Sequence, residues 1–429
     1  MGKTVSFYTL GCKLNQYETD NIRDKFIKSG YSVVNFGEHA DISLINTCIV
    51  TQRAGFKSRQ AIRRAIKYSP QAFIVVAGCY PQINSEEISR ISGVNMILGS
   101  EEKFKVLDFL NGLDKTDKVF IKKSSNKCRF YNEEGNGYST ERTRAFLKVQ
   151  DGCNYYCSYC IVPYARGESR SRSASNIISQ AVNLTSRGFK EIVLTAVNLA
   201  EYYDDSYGNL TSLLKKLISI DNIPRIRLSS IEVNKIDDEF IDLIAGSEKI
   251  CKHLHIPLQS GDSKVLSLMK RRYNREYYKG KLDKIVKKIP EIGIGTDVMV
   301  GFPGEKRENF ENTLDFIKEM PFSYIHVFGF SPRSGTEAEN LPDKVNPDEI
   351  KERSGILRDI AQEKKRNFLH KNVGRTEEVV FESEEEKAFS GFSSNYIRVK
   401  CMGKNLRNEL KRVKILKSED SYVVCEILN

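Results

Sequence analysis

Cys153, Cys157 and Cys160 form a CxxxCxxC triplet in QDGCNYYCSYCIVPYARG, just past the apolar run AFLKVQ. Three thiolates on one loop can ligate three irons of a 4Fe-4S cluster and leave the fourth iron without a protein ligand. An open iron is a place for chemistry, because its unfilled position takes an exogenous chelator such as the amino and carboxylate groups of S-adenosylmethionine (SAM). A zinc site completed by a distant Cys or His is the alternative, although zinc ligands favour paired C-x2-C units over this uneven spacing. A second set is Cys12 in TLGCKLN, Cys48 in INTCIVT and Cys79 in VAGCYPQ, each at the end of an apolar run that reads as a strand. In a doubly wound sheet the C-terminal strand ends converge on one crevice, so three distant cysteines can become one site. Scattered buried thiols are the plainer alternative. Gly11 and Gly78 beside them permit close backbone approach. Cys128, Cys251, Cys401 and Cys425 share no spacing and read as structural.

The elements that must position these residues follow from the hydrophobic pattern. Over residues 1–115, VSFYTL, YSVVNF, ISLIN, FIVVAG and NMIL read as strands, with helices expected at 16–28, 52–68, 84–91 and 101–110. That alternation implies a parallel, doubly wound α/β sheet. Residues 116–138 are polar and turn-rich and read as a linker. A second alternating series fills 139–370, with AFLKVQ, EIVLT, RIRLSS, HLHIPL, GIGTDVMV and YIHVFGF as strands. Helices are expected at 175–187, 210–219, 237–244, 276–288 and 307–319, and a last one at 347–370. Six such strands suit a partial or full (β/α) barrel whose chemistry sits at the C-terminal strand ends. Residues 371–429 lose the helical period, and EEVVFES, YIRVKCM, RNELKRVKILK and YVVCEIL suggest a small antiparallel β-barrel.

Length and composition frame this reading. With 429 residues, 40% hydrophobic and 29% charged, the chain is expected to form two or three globular domains. It shows no apolar stretch of signal-peptide or membrane-spanning length, so a cytoplasmic protein is expected. Cysteines in that compartment serve metal or redox chemistry rather than disulfides. The formal charge of +11 is diffuse, with no basic tail, and suits a polyanionic partner.

TLGCKLNQYET, NTCIVT, AGCYPQ and QDGCNYYCSYCIVPYARG together resemble the methylthiotransferase family of radical SAM enzymes, over nearly the whole chain. The wording around Cys12 is most similar to the branch that modifies threonylcarbamoyladenosine beside the tRNA anticodon; sister branches act on isopentenyladenosine or on a ribosomal protein aspartate. The resemblance implies an N-terminal methylthiotransferase domain (1–115), a radical SAM barrel (139–370) and a terminal RNA-binding TRAM domain (371–429). It further implies two 4Fe-4S clusters, an auxiliary one on Cys12, Cys48 and Cys79 and a SAM-binding one on Cys153, Cys157 and Cys160. Tyr159 would lie near the adenine of SAM. One SAM would methylate a sulfide of the auxiliary cluster, and a second would be cleaved to a 5'-deoxyadenosyl radical that activates C-2 of the adenosine. The implied partners are the tRNA anticodon stem-loop and an electron donor such as flavodoxin or ferredoxin, with no membrane. Ala196 and Ala200 stand where relatives commonly have Gly, and Ile49 where Thr is frequent.

Polar residues at strand ends are candidate SAM contacts: Thr195, Asn198, Ser230, Glu232 and Gln259, with Asp297, Gly301 and Gly304 as further cases. Each could instead cap a helix or satisfy backbone groups. RAGFKSRQAIRRAIKY carries Arg53, Lys57, Arg59, Arg63, Arg64 and Lys67 without an acid, and on a helix 53, 57, 64 and 67 share one side, a candidate phosphate-binding face. A merely solvated basic face is the alternative. Lys270 to Arg272 with Arg275, and Arg166 with Arg170 and Arg172, flank the expected active face; Arg166 to Arg172 follow the CxxxCxxC loop closely enough to serve SAM or substrate instead. Tyr396, Arg398, Lys400, Lys404, Arg407, Lys411 and Arg412 form a possible RNA surface on the terminal barrel.

Overall fold

In the computed structural model the residues described are 3–112, 118–121, 130, 131, 133, 142–385 and 388–428. Most of the expected linker, with Cys128, lies outside them. The chain packs as two units, each discontinuous in sequence: 1–139, 146–176 and 331–339 in one, and 140–145, 177–330 and 340–429 in the other.

The first unit is built on β1 (Thr4–Thr9), β2 (Ser32–Val34), β3 (Ile42–Thr47), β4 (Phe73–Gly78), β5 (Met96–Leu98) and β6 (Val119–Ile121). Their order is β2-β1-β3-β4-β5-β6, and every pairing is parallel. All six residues of β3 and of β4 are buried, as expected of central parallel strands covered on both faces. One face packs α2 (Gln52–Tyr68) and α3 (Cys79–Ser89) through Ile62, Ala65 and Ile88; the other packs α1 (Lys13–Lys28) through Ile22 and Phe26. Strand order reverses between β1 and β3, the place where doubly wound sheets bind ligands.

Two helices begin earlier than their sequence signals. The helix expected at 16–28 starts at Lys13, with Cys12 as its N-cap. The one expected at 84–91 starts on Cys79 and is kinked at Asn84. Pro81 obscures that start, yet proline is accepted in a first turn, where no N–H is needed for the ladder. The effect is to seat two cysteines at helix starts. The strand at Val119–Ile121, inside the stretch expected to be a linker, extends the sheet by one.

In the second unit, Glu191–Thr195 pairs in parallel with Ile226–Leu228, and Gly293–Val300 with both His253–His255 and Tyr324–Gly329. Helices Leu210–Ile218, Asp238–Gly246, Arg275–Lys288, Arg307–Glu319 and Pro347–Lys371 fall where expected. The terminal barrel is closed and has five strands, Thr376–Glu385, Ala388–Ser393, Arg398–Met402, Leu410–Ser418 and Val423–Ile427. Ala388–Ser393 has no counterpart in the sequence expectation, because AFSGFS has too few apolar residues to announce itself. The barrel is also not wholly antiparallel: Val399 to Cys401 pair in parallel with Val423 to Cys425.

Glu191 is fully buried and joins these parts. It accepts from Arg225 Nε at 2.7 Å and Arg227 Nε at 2.8 Å. The same guanidiniums donate to the carbonyls of Glu378 (2.8 Å), Phe392 (3.0 Å) and Ser393 (2.8 Å) in the terminal barrel. Burial would raise the Glu191 carboxyl, but Arg227 and Arg225 hold it well below the usual carboxylate range. Glu191→Gln should therefore cost about 3–5 kcal/mol in urea unfolding, since it leaves two buried cations uncompensated. A loss under about 1 kcal/mol would mean that this cluster does not join the elements.

Candidate active site

The C-terminal ends of β1, β3 and β4 carry Cys12, Cys48 and Cys79. Cys12 is exposed, Cys48 and Cys79 are buried, and none forms a disulfide. The three are close enough to repel as thiolates: Cys79 and Cys12 raise Cys48, and Cys79 raises Cys12. Desolvation is the larger cause in both, pushing Cys48 up to about 11. Gly11 has φ +100°, and a Cβ there would stand 2.8 Å from Cys48 Cβ; Gly78 has φ +104°, and a Cβ there would stand 2.5 Å from Asn46 Oδ1. Only glycine lets these strand ends meet. Asn15 ties them, donating from Nδ2 to the carbonyls of Leu10 (2.8 Å) and Thr47 (3.1 Å). Three converging thiols with a cation beside them fit the donor set of an iron-sulfur cluster, whose ligands are thiolates.

That cation is Arg166. Its Nη2 donates to Asn15 Oδ1 at 2.6 Å, and its Nη1 to Glu18 Oε1 at 2.8 Å and Asp151 Oδ1 at 2.9 Å. It lowers both Cys12 and Cys48. Glu18 also pairs with Lys103 at 2.5 Å and Lys148 at 3.0 Å, and Lys148 with Asp151 at 2.9 Å. Burial opposes the charge on Glu18, but Arg166, Lys103 and Lys148 outweigh it and hold the carboxyl below its ordinary range. Arg170 pairs with Asp151 and Glu101, and Arg172 donates to Lys148 O and Asn176. All three arginines are buried, their guanidiniums engaged by these partners.

The CxxxCxxC loop belongs to the same unit. Cys153 N donates to Gly167 O (3.1 Å) and Cys160 N to Cys157 O (2.9 Å), with Tyr156 at φ 48°. Cys157 is buried, while Cys153, Tyr159 and Cys160 are partly exposed. The helix that follows, Val162–Arg166, packs Ala165 into the cluster containing Cys79 and Tyr80. One short segment therefore carries three cysteines at one end and delivers Arg166 to the other three.

The other candidate SAM contacts lie in the second unit. Thr195 is buried and donates to Val193 O (3.1 Å); Asn198 caps a short helix, accepting from Ala200 N (3.1 Å). Ser230 bridges His255, Glu232 pairs with Arg271, and Gln259, at φ 68°, pairs with the strand holding Asp297. Arg271 is buried in that pair and is not a surface cation. Tyr396 is half-buried, its ring stacked on Phe392 and 4.5 Å from the His253 ring. Sequence reasoning passed over His255 and His326. His255 Nε2 lies 3.1 Å from Asp297 Oδ2, and the three residues bring ligand atoms within 4.8 Å of one another. The signal was histidines in two strand-like runs, HLHIPL and YIHVFGF, which flank the strand GIGTDVMV that carries Asp297.

Arg53, Lys57, Arg63, Arg64 and Lys67 are exposed on α2, as expected of a basic face. Arg59 is not: it donates to the Tyr80 hydroxyl (2.6 Å) and pairs with Glu87 (3.0 Å). Arg64 lies over the rings of Tyr8, Phe36 and Tyr68 while remaining exposed.

The sheet, the strand series and the three-cysteine loop define a radical SAM protein: residues 147–317 match the Radical SAM superfamily, and 4–99 match the family described as Uncharacterized protein family UPF0004. The fold is similar to that of the radical S-adenosylmethionine methyltransferase TsrM from Kitasatospora setae, with TM-score 0.57 at 15% identity over 79% of this chain and 77% of that one. The chain is 41% identical to the threonylcarbamoyladenosine tRNA methylthiotransferase MtaB of Bacillus subtilis, over 98% of this chain and 95% of the relative. It is 40% identical to the Aquifex aeolicus protein of that name, over 96% and 100%, and 31% identical to the tRNA-2-methylthio-N(6)-dimethylallyladenosine synthase of Thermodesulfovibrio yellowstonii, over 100% and 99%. The chain belongs to the tRNA methylthiotransferase family of radical SAM enzymes, and is a transferase.

Gly11→Ala tests the crevice. A left-handed φ costs a non-glycine residue about 1–2 kcal/mol, and the new methyl would press on Cys48. Iron bound after anaerobic reconstitution should fall by about half while circular dichroism stays native. Full iron content would show that close approach of these strand ends is not needed.

Proposed function

We propose that this enzyme adds a methylthio group to C-2 of threonylcarbamoyladenosine beside the tRNA anticodon, using SAM and two 4Fe-4S clusters. The observation that carries the reading is the pair of three-cysteine sets in one unit, together with full-length similarity to the relatives named for threonylcarbamoyladenosine. Cys153, Cys157 and Cys160 hold one cluster and Cys12, Cys48 and Cys79 the other; when bound, the first would pass the electron that cleaves SAM and the second would hold the sulfide that is methylated.

The chain's own residues do the rest. Arg166 offsets the negative charge of the thiolate set, and Glu18 and Asp151 fix its guanidinium. Tyr159, Thr195, Asn198, Ser230, Glu232 and Gln259 orient SAM from the loop and strand ends. The exposed cations of α2, namely Arg53, Lys57, Arg63, Arg64 and Lys67, hold phosphates of the anticodon stem-loop. The five-stranded barrel at 376–427 acts as the TRAM domain, with exposed Arg398, Lys404, Arg407, Lys411 and Arg412 toward RNA. A flavodoxin or ferredoxin supplies the electron in the cell.

Mass spectrometry of tRNA nucleosides from cells with and without the gene tests the substrate: 2-methylthio-threonylcarbamoyladenosine should vanish in the deletion. Loss of the methylthio-isopentenyl nucleoside instead would move the enzyme to the sister branch. Changing Cys12, Cys48 and Cys79 to Ala should abolish methylthio product while dithionite still drives 5'-deoxyadenosine formation. Wild-type yield from that variant would remove the auxiliary role. For the RNA face, neutralising Lys57, Arg63 and Lys67 should weaken tRNA binding and flatten its salt dependence, by about one unit of slope for each phosphate no longer neutralised. An unaltered slope in the folded variant would return α2 to a solvated face.

A further inference from the structure

Beside the cysteine crevice, the first unit contains a cavity of about 580 Å³ lined by Ile49, Arg53, Phe56, Arg59, Tyr80 and Arg333. Two of these, Ile49 and Tyr80, directly follow Cys48 and Cys79 in sequence, so the cavity adjoins two of the three cysteines. Its size suits a small-molecule moiety and exceeds what an isolated side-chain contact needs.

The three arginines differ in how far their charge is met. Arg59 is held by the Tyr80 hydroxyl and Glu87. Arg333 is partly buried and has only neutral partners: Nη1 donates to Ile49 O at 3.1 Å, Nη2 lies 3.3 Å from Ser331 Oγ, and its buried Nε has no hydrogen-bond partner. Among the described residues no carboxylate forms an ion pair with it; Glu339, whose carboxylate accepts from Gly335 N at 3.1 Å, acts on it only at longer range. A guanidinium withdrawn from water without an anion is costly to bury. Arg53 stands exposed at the same cavity, on the first turn of α2, whose dipole adds positive potential. Phe56, 53% exposed, and Ile49 supply apolar wall. Two incompletely compensated cations facing apolar surface form a receptor for an oxyanion on an organic body.

We propose that this cavity is an oxyanion subsite of the RNA substrate, with Arg333 as its principal contact and Arg53 as its outer one. The inference rests on the reading of the enzyme as a threonylcarbamoyladenosine methylthiotransferase. Two groups of that substrate have the required chemistry: the carboxylate of the threonylcarbamoyl substituent and a phosphodiester next to the target nucleotide. A carboxylate bound here would make the subsite a determinant of specificity, since a dimethylallyl substituent has no anion to offer.

The test measures equilibrium binding of the reconstituted full chain to two anticodon stem-loop RNAs, one carrying threonylcarbamoyladenosine and one carrying unmodified adenosine at that position. Arg333→Met should weaken binding of the modified RNA about tenfold, the scale of one charge-assisted contact. If the carboxylate is the occupant, the unmodified RNA loses nothing. A phosphodiester occupant makes both RNAs lose equally and lowers the salt slope by about one. Arg53→Ala, at an exposed position that does not threaten folding, should weaken the same RNA or RNAs about threefold. Wild-type affinity for both RNAs in both variants would overturn the subsite. If Arg333→Met does not fold, unchanged binding by Arg53→Ala overturns it. Product analysis with the wild-type chain runs alongside: absence of methylthio product on the modified RNA counts against the substrate reading, whereas product formation with unaffected variants counts against the subsite alone.

Discussion

A carboxylate with no access to water, Glu18, is met by three cations, Arg166, Lys103 and Lys148, and the first unit depends on that arrangement. Its members come from α1, the segment after β5, the strand at Arg144–Lys148 and the helix after the CxxxCxxC loop. None of these charges could be buried alone, because removing one partner leaves the others uncompensated at a cost of about 3–5 kcal/mol. The network therefore specifies which segments must meet. Through Arg166 it also fixes a positive charge beside three thiols that repel one another. Structural and electrostatic roles coincide in one guanidinium.

The second unit repeats the device, again with a buried carboxylate among cations. Glu191 is the anion, and Arg225 and Arg227 direct their remaining donors to backbone carbonyls of the terminal barrel. An arginine fork can serve a carboxylate and two carbonyls at once, which a lysine cannot. Tyr396, in the left-handed region at φ 69°, packs its ring against Phe392 and His253 while staying partly exposed. A residue that looks like part of a nucleic-acid surface in a linear reading thus also helps to fasten the terminal barrel to the strand at 253–255.

Much of the architecture was legible because its signals are local. ISLINT and FIVVAG are continuous apolar runs of strand length, α2 shows clean helical spacing, and the CxxxCxxC triplet lies within eight residues, so its ligand set needs no tertiary information. Less legible were elements with weak or conflicting local signals. AFSGFS lacks a hydrophobic pattern, and Pro81 hides a helix start that places Cys79 at its first position.

By itself, the sequence determined the alternation of strands and helices, the three-cysteine loop, the strand-end positions of Cys12, Cys48 and Cys79, and the family. Each of these follows from residue types at short spacing. Only the tertiary structure decided the fate of the arginines. Arg53 and Arg63 face solvent, Arg59 is engaged by Tyr80 and Glu87, Arg166 is buried against Glu18, and Arg333 reaches across 284 residues of sequence to lie on Ile49 with no anion of its own. A guanidinium reads the same in any linear context. Whether it binds RNA, fastens a core or waits for a ligand depends on burial and on which carboxylates the fold brings within reach, and those are set by long-range packing.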